Sequence, residues 1–99
     1  MTAYLIETCE SPCPFAVDAE ELAVWLAGDI EHAHYSGDGL SVTRLFRYDS
    51  GTLTPLSVHR VSQDADRDGF LRWAYEVRPL AGPAGESVAT FTVRIDGRA

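Results

Sequence analysis

The sequence predicts an α+β fold: one amphipathic helix packed on an antiparallel sheet of about five strands, in the order β-α-β-β-β-β. Three observations carry this. A stretch with an apolar period of about 3.6 residues opens at Asp18 behind a capping signal. After Gly39 the pattern becomes β-rich and alternating. Turns rich in Gly, Pro, Asp and Ser cut the remainder into hairpin-length pieces, and short connections imply antiparallel pairing.

Each element has its own basis. Residues 2–8 (T-A-Y-L-I-E-T) read as a short strand rich in aromatic and β-branched types. Residues 9–15 (C-E-S-P-C-P-F) hold two prolines and are expected to form a loop. Asp18 with Glu21 makes a D-x-x-E helix start, and the acids at 18, 20 and 21 suit the positive end of the helix dipole. Ala19, Leu22, Ala23, Leu26, Ile30 and Ala33 fall in one stripe, with Trp25 at its edge and Glu20, Val24 and Glu31 facing away. Two endings are open. Gly28 can act as a C′ residue, with residues 30–35 then a strand, or the helix runs to about residue 35 and stops before Gly37. The continuing stripe favours the longer helix.

Residues 40–48 are β-rich, with Val42, Phe46 and Tyr48 on one face and Leu45 on the other. Asp49-Ser50-Gly51 marks a turn. Residues 53–61 carry Pro55, which points to an edge or a strand start. Residues 62–69 are expected to be a polar loop. Residues 70–78 alternate, with Leu71, Trp73, Tyr75 and Val77 opposite Arg72, Glu76 and Arg78. A second turn is expected over 80–86. In residues 87–96, Ala89, Phe91, Val93 and Ile95 point inward and Thr90, Thr92 and Arg94 outward. Residues 97–99 are expected to fray.

This order of elements resembles the cystatin or monellin grip, in which a sheet wraps one helix. The likeness covers most of the chain, but only as an order of elements. The Q-x-V-x-G loop of cystatins is absent, because Asp64-Ala65-Asp66 follows Gln63. The resemblance therefore implies a fold and does not imply protease inhibition.

With 99 residues the chain is expected to be a single domain with one modest core. Its charge is uneven. Residues 1–43 hold eight acids and no Lys or Arg, giving −8; residues 44–99 hold eight arginines against seven acids, giving +1. The net charge of −7 disfavours nucleic acid and anionic membrane surfaces and favours a basic partner. No apolar run is long enough to span a bilayer. Residues 1–15 lack the basic and apolar regions of a signal peptide, so a cytoplasmic location is expected. Lys and Asn are both absent, which fits a GC-rich bacterial or phage genome. Every cation is therefore an arginine or a histidine, and the arginines are planar and permanently charged.

Two constellations invite a metal reading. Asp64, Asp66 and Asp68 followed by Gly69 match the first half of a calcium loop, but Tyr75 stands where the glutamate ligand belongs and Arg67 intrudes. The plain alternative is a solvated turn. Cys9, Cys13, His32 and His34 offer the sulfur and nitrogen donors of a zinc site, yet helical His32 and His34 point in different directions. Otherwise they are reduced thiols and solvated histidines. No nucleophile motif or phosphate loop is present, and His59 reads as a sheet-surface residue, so no enzyme activity and no cofactor are expected. Arg72, Arg78 and Arg94 are expected to pair across strands with Glu76, Thr90 and Thr92.

The expectation for function is a small acidic binding protein of accessory, inhibitor, immunity or anti-defence type. It would dock a protein with a basic surface through Glu20, Val24, Glu31 and Asp38. A homodimer through the second sheet face would cover the large residues there. The alternative is a small ligand- or metal-binding domain using the open sheet face, the aspartate loop or the Cys/His set.

Overall fold

The computed structural model describes residues 2–80 and 86–96. Strands β1 (Thr2–Thr8) and β2 (Ser11–Val17) form a hairpin that leads directly into helix α1 (Ala19–Ser36). Strands β3 (Val42–Asp49), β4 (Thr52–Ala65), β5 (Phe70–Pro79) and β6 (Ala89–Asp96) follow as a meander. All pairings are antiparallel, and the strand order is β2-β1-β3-β4-β5-β6. The α+β class and the order of helix and long strands stand as expected. The sheet has six strands, one more than anticipated.

The additional strand is β2, read above as a loop. Pro12 and Pro14 lack the N–H that an interior strand must donate, but β2 is an edge strand and pairs only with β1. A register shift between Ile6 and Thr8 absorbs the irregularity. Pro55 stands near a strand start, one of its two expected places, although β4 itself is an interior strand. It is tolerated because β5 has its last pairing at Pro79; beyond it, the Pro55 carbonyl accepts a hydrogen bond from Leu80 N at 2.9 Å.

A second correction concerns the polar segment after residue 61. β4 continues through Ala65, with Gln63 opposite Trp73 and Asp64 opposite Arg72. The turn itself is short: Gly69 N donates to Asp66 O, and Gly69 takes φ +88°. Polar sequence did not prevent strand formation because the cross-strand partners of these residues are a tryptophan and an arginine.

Helix α1 ends as the longer reading required. Asp18 caps it, its Oδ1 accepting from Glu21 N at 2.8 Å. Gly37 closes it in the left-handed region at φ +76°, donating its N–H to Ala33 O at 3.1 Å. The helix packs mostly on β6, and also on β1 and β2, so it bridges the two ends of the curled sheet.

Cross-strand partners share a face, which assigns every strand position. The inner face carries Tyr4, Ile6, Val17, Leu45, Leu56 and Val77, which are buried with Leu22 and Leu26 of the helix. Phe15, Val58, Ala89 and Phe91 pack against this cluster. Val42 also joins the core, not Phe46 and Tyr48 as its spacing suggested, because the β1–β3 register shifts between Glu7 and Thr8. Tyr75 stacks on Phe91 with centroids 5.1 Å apart. Desolvation there raises the Tyr75 pKa despite the nearby Arg60 guanidinium. The turn expected over 80–86 lies mostly outside the described residues, and so do residues 97–99. No helix is long and apolar enough to cross a membrane.

Candidate functional site: the acidic face of the helix

A residue on an α-helix turns about 100° from its neighbour, so Glu20, Val24 and Glu31 share one side of α1. That side lies opposite buried Leu22 and Leu26 and meets solvent. Val24 is 69% exposed. Beside it, Trp25 is 43% exposed, with Phe15 of β2 supporting its ring at a centroid distance of 4.9 Å. An aliphatic and an aromatic side chain thus stand between carboxylates. Two shallow hollows flank them: one of about 350 Å³ lined by Glu20, Glu21, Val24 and Trp25, the other of about 380 Å³ lined by Val24, Trp25, Gly28, Asp29, His32 and Ser41.

Asp38 is exposed but follows the helix. An 18-residue helix is roughly 27 Å long at ~1.5 Å per residue, so Asp38 and Glu20 mark opposite ends of the surface. Asp38 N donates to Ser36 Oγ at 3.2 Å.

Two residues here escaped the sequence reading. Trp25 was placed at the edge of the core stripe, and only the docking of β2 decides which part of its ring stays open. Asp29 carries no motif, yet its carboxylate ties the helix to the start of β3. Oδ1 accepts from Ser41 N at 3.0 Å and Ser41 Oγ at 2.7 Å, and Oδ2 accepts from Val42 N at 3.0 Å. The polar turn between helix and strand was the only available hint.

The proposed metal donors are not brought together. His34 packs edge-on against Trp73 at 5.5 Å and Tyr35 at 5.1 Å, while His32 lines the hollow beside Val24. Cys9 lies in the β1–β2 turn, its N–H donating to Ser41 O, and Cys13 lies on β2. In the aspartate segment, arginines and turn amides occupy the carboxylates. Asp64 pairs with Arg72 at 3.1 Å. Asp66 accepts from Asp68 N, Phe70 N and the Arg94 guanidinium, and Asp68 lies 3.8 Å from Arg94. Desolvation works to raise the Asp66 pKa, but these hydrogen bonds outweigh it and hold the carboxyl below its ordinary range. Among the described residues, no group of three or more His, Cys, Asp and Glu is arranged to hold a metal ion.

Five of the arginines are matched by acids, though not wholly by the expected partners, while Arg60 lies over the Trp73 ring. Arg78 pairs with Glu76 at 2.8 Å, but along β5 and not across strands as expected. Arg72 takes Asp64, and Arg94 takes Asp66 and Asp68 instead of contacting Thr90 and Thr92. Arg44 pairs with Glu7 and Arg47 with Glu86. Glu20, Glu21 and Glu31 have no ion pair among the described residues.

Two further features bear on chemistry. Ser57 Oγ and His59 Nε2 lie 2.7 Å apart on the outer face of β4. Nucleophilic catalysis also needs a group that orients the base. The cross-strand carboxylate opposite His59, Glu76, is bound to Arg78. Between α1 and strands β3 and β4 lies an apolar cleft of about 160 Å³, lined in part by Leu26, Ile30, Val42 and Val58. Pockets for small organic ligands usually measure roughly 300–1,000 Å³.

Comparison with known proteins gives no match: no family model, no curated protein and no solved structure matches the chain.

Proposed function

We propose that this is a small acidic binding protein without a catalytic role, which docks a basic macromolecular partner through the solvent face of α1. The observation that carries the reading is the exposure of Val24 and Trp25 among Glu20, Glu21 and Glu31. Unpaired acids attract a basic surface over about a Debye length and speed encounter. A partly desolvated tryptophan is the kind of side chain that supplies binding energy once contact is made. Arginine is the favoured counterpart, because its guanidinium pairs with carboxylates and stacks on aromatic rings. This profile fits an accessory, inhibitor, immunity or anti-defence protein of cytoplasmic location.

The test is a quantitative capture from cells of the source organism with wild type and the double variant Glu20→Lys/Glu31→Lys. A partner of basic surface should be recovered by the wild type and lost with the variant. Its association should slow by about tenfold or more at low salt, with an unchanged melting curve. Equal recovery by both proteins would defeat the proposal.

A further inference from the structure

The outer sheet face is divided. Over β5 and β6 it carries Arg72, Glu76, Arg78, Thr90, Thr92 and Arg94, as a solvated face should. Over β1, β3 and β4 the rule is broken. Leu5 lies opposite Phe46, which lies opposite Pro55; Tyr48 lies opposite Leu53. Leu80 extends the patch, its N–H bonded to Pro55 O. Tyr48, Leu53 and Leu80 are 45%, 51% and 68% exposed. Phe46, Pro55 and Leu80 border a hollow of about 230 Å³.

We propose that this face binds a second copy of the same chain, forming a symmetric face-to-face dimer. Strand addition would not cover the patch, because Leu5, Phe46 and Tyr48 already lie between paired neighbours and their side chains stand out of the plane of the sheet. What covers the patch must be another apolar face. A second sheet of identical twist supplies one, since twisted sheets stack in the aligned arrangement about 10 Å apart. Charge selects the same occupant. With a net charge of −7, two copies repel in most orientations. At this patch the bordering ions among the described residues are paired, Glu7 with Arg44 at 3.0 Å and Glu76 with Arg78 at 2.8 Å, so the border is locally neutral. A two-fold axis there lets each Arg44 face the other copy's Glu7, which is self-complementary. A strongly basic or acidic partner finds no unmatched charge in the patch.

The dimer follows independently of the helix-face reading and leaves both acidic helices outward. The patch covers on the order of a few hundred Å², below the ~800 Å² per partner of a standard interface. Association is therefore concentration-dependent.

Sedimentation velocity over a dilution series tests this. The mass should rise from 10.8 kDa towards twice that value with concentration. Leu53→Glu and Leu80→Glu should each raise the dimer dissociation constant by at least about tenfold, with circular dichroism unchanged. Thr92→Glu, on the polar half of the face, should dimerise like the wild type. A wild type that stays monomeric throughout would overturn the proposal. So would dimerisation of both leucine variants at wild-type strength, or its loss in Thr92→Glu. Should one leucine variant fail to fold, the other decides.

Discussion

The carboxylates of the sheet and those of the helix are used in opposite ways. On and around the sheet, Glu7, Asp64, Asp66, Asp68, Glu76 and Glu86 each lie against an arginine. On α1, Glu20, Glu21 and Glu31 lie against none among the described residues. These six carboxylates are thus matched by arginines, while the three on the helix are left open to solvent. Surface ion pairs are individually weak, so the contrast teaches less about stability than about where an external cation can find an unoccupied acid.

Asp29 is the exception among the helix acids, and it offers the sharpest way to test the contrast. Asp29→Ala strands two backbone N–H groups and the Ser41 hydroxyl. It should cost about 1–3 kcal/mol, read as a lower denaturant midpoint. A change of ~1 kcal/mol corresponds to roughly 4–8 °C in Tm for a domain of this size. If Asp29→Ala were as neutral as a Glu20 substitution, the division of the helix acids into structural and open groups would collapse.

Asp18 comes next. Its carboxylate satisfies one orphan amide at the helix start, so Asp18→Ala should cost ~1 kcal/mol and fray the first turn, visible as faster amide exchange at Glu21. Glu20 sits two residues later with no such partner, and its neutralisation should leave exchange unchanged.

Asp66 gives the smallest effect, visible in pH dependence alone. Its folded pKa is depressed below the ordinary 3.8. The sign follows: its contribution is present above the unfolded value and is lost as pH falls through the lower folded one. In Asp66→Asn this part of the acid dependence should vanish from a series of melts below pH 4. An unaltered acid profile would show that Arg94 and the turn amides do not favour the ionised form.

These contrasts were partly legible in the sequence. The helix could be read almost to the residue, because Asp18, Glu21 and Gly37 are local chemical signals that act on the backbone within one turn. The inner faces of β5 and β6 were equally clear from alternation. β2 was not, because a proline's cost depends on whether its strand lies at an edge, which no local pattern states. The extension of β4 was hidden for a similar reason: Gln63 and Asp64 look like loop residues until Trp73 and Arg72 stand opposite them. The candidate surface was legible as Glu20, Val24 and Glu31 on one helix side. Trp25 and Asp29 were missed, since one depends on Phe15 and the other on Ser41 and Val42.

The strand order also shapes how the chain reaches this structure. Four of the five described ladders join strands adjacent in sequence and can form as local hairpins. The β1–β3 ladder alone closes across the whole of β2 and α1. Closing a longer loop adds entropic cost slowly, but non-local pairing is what slows two-state folding. The rate-limiting event is therefore expected to be the union of two locally formed halves, the β1–β2–α1 unit and the β3–β6 meander. Leu45, opposite Ile6 and buried with Leu22, stands at the seam where they meet.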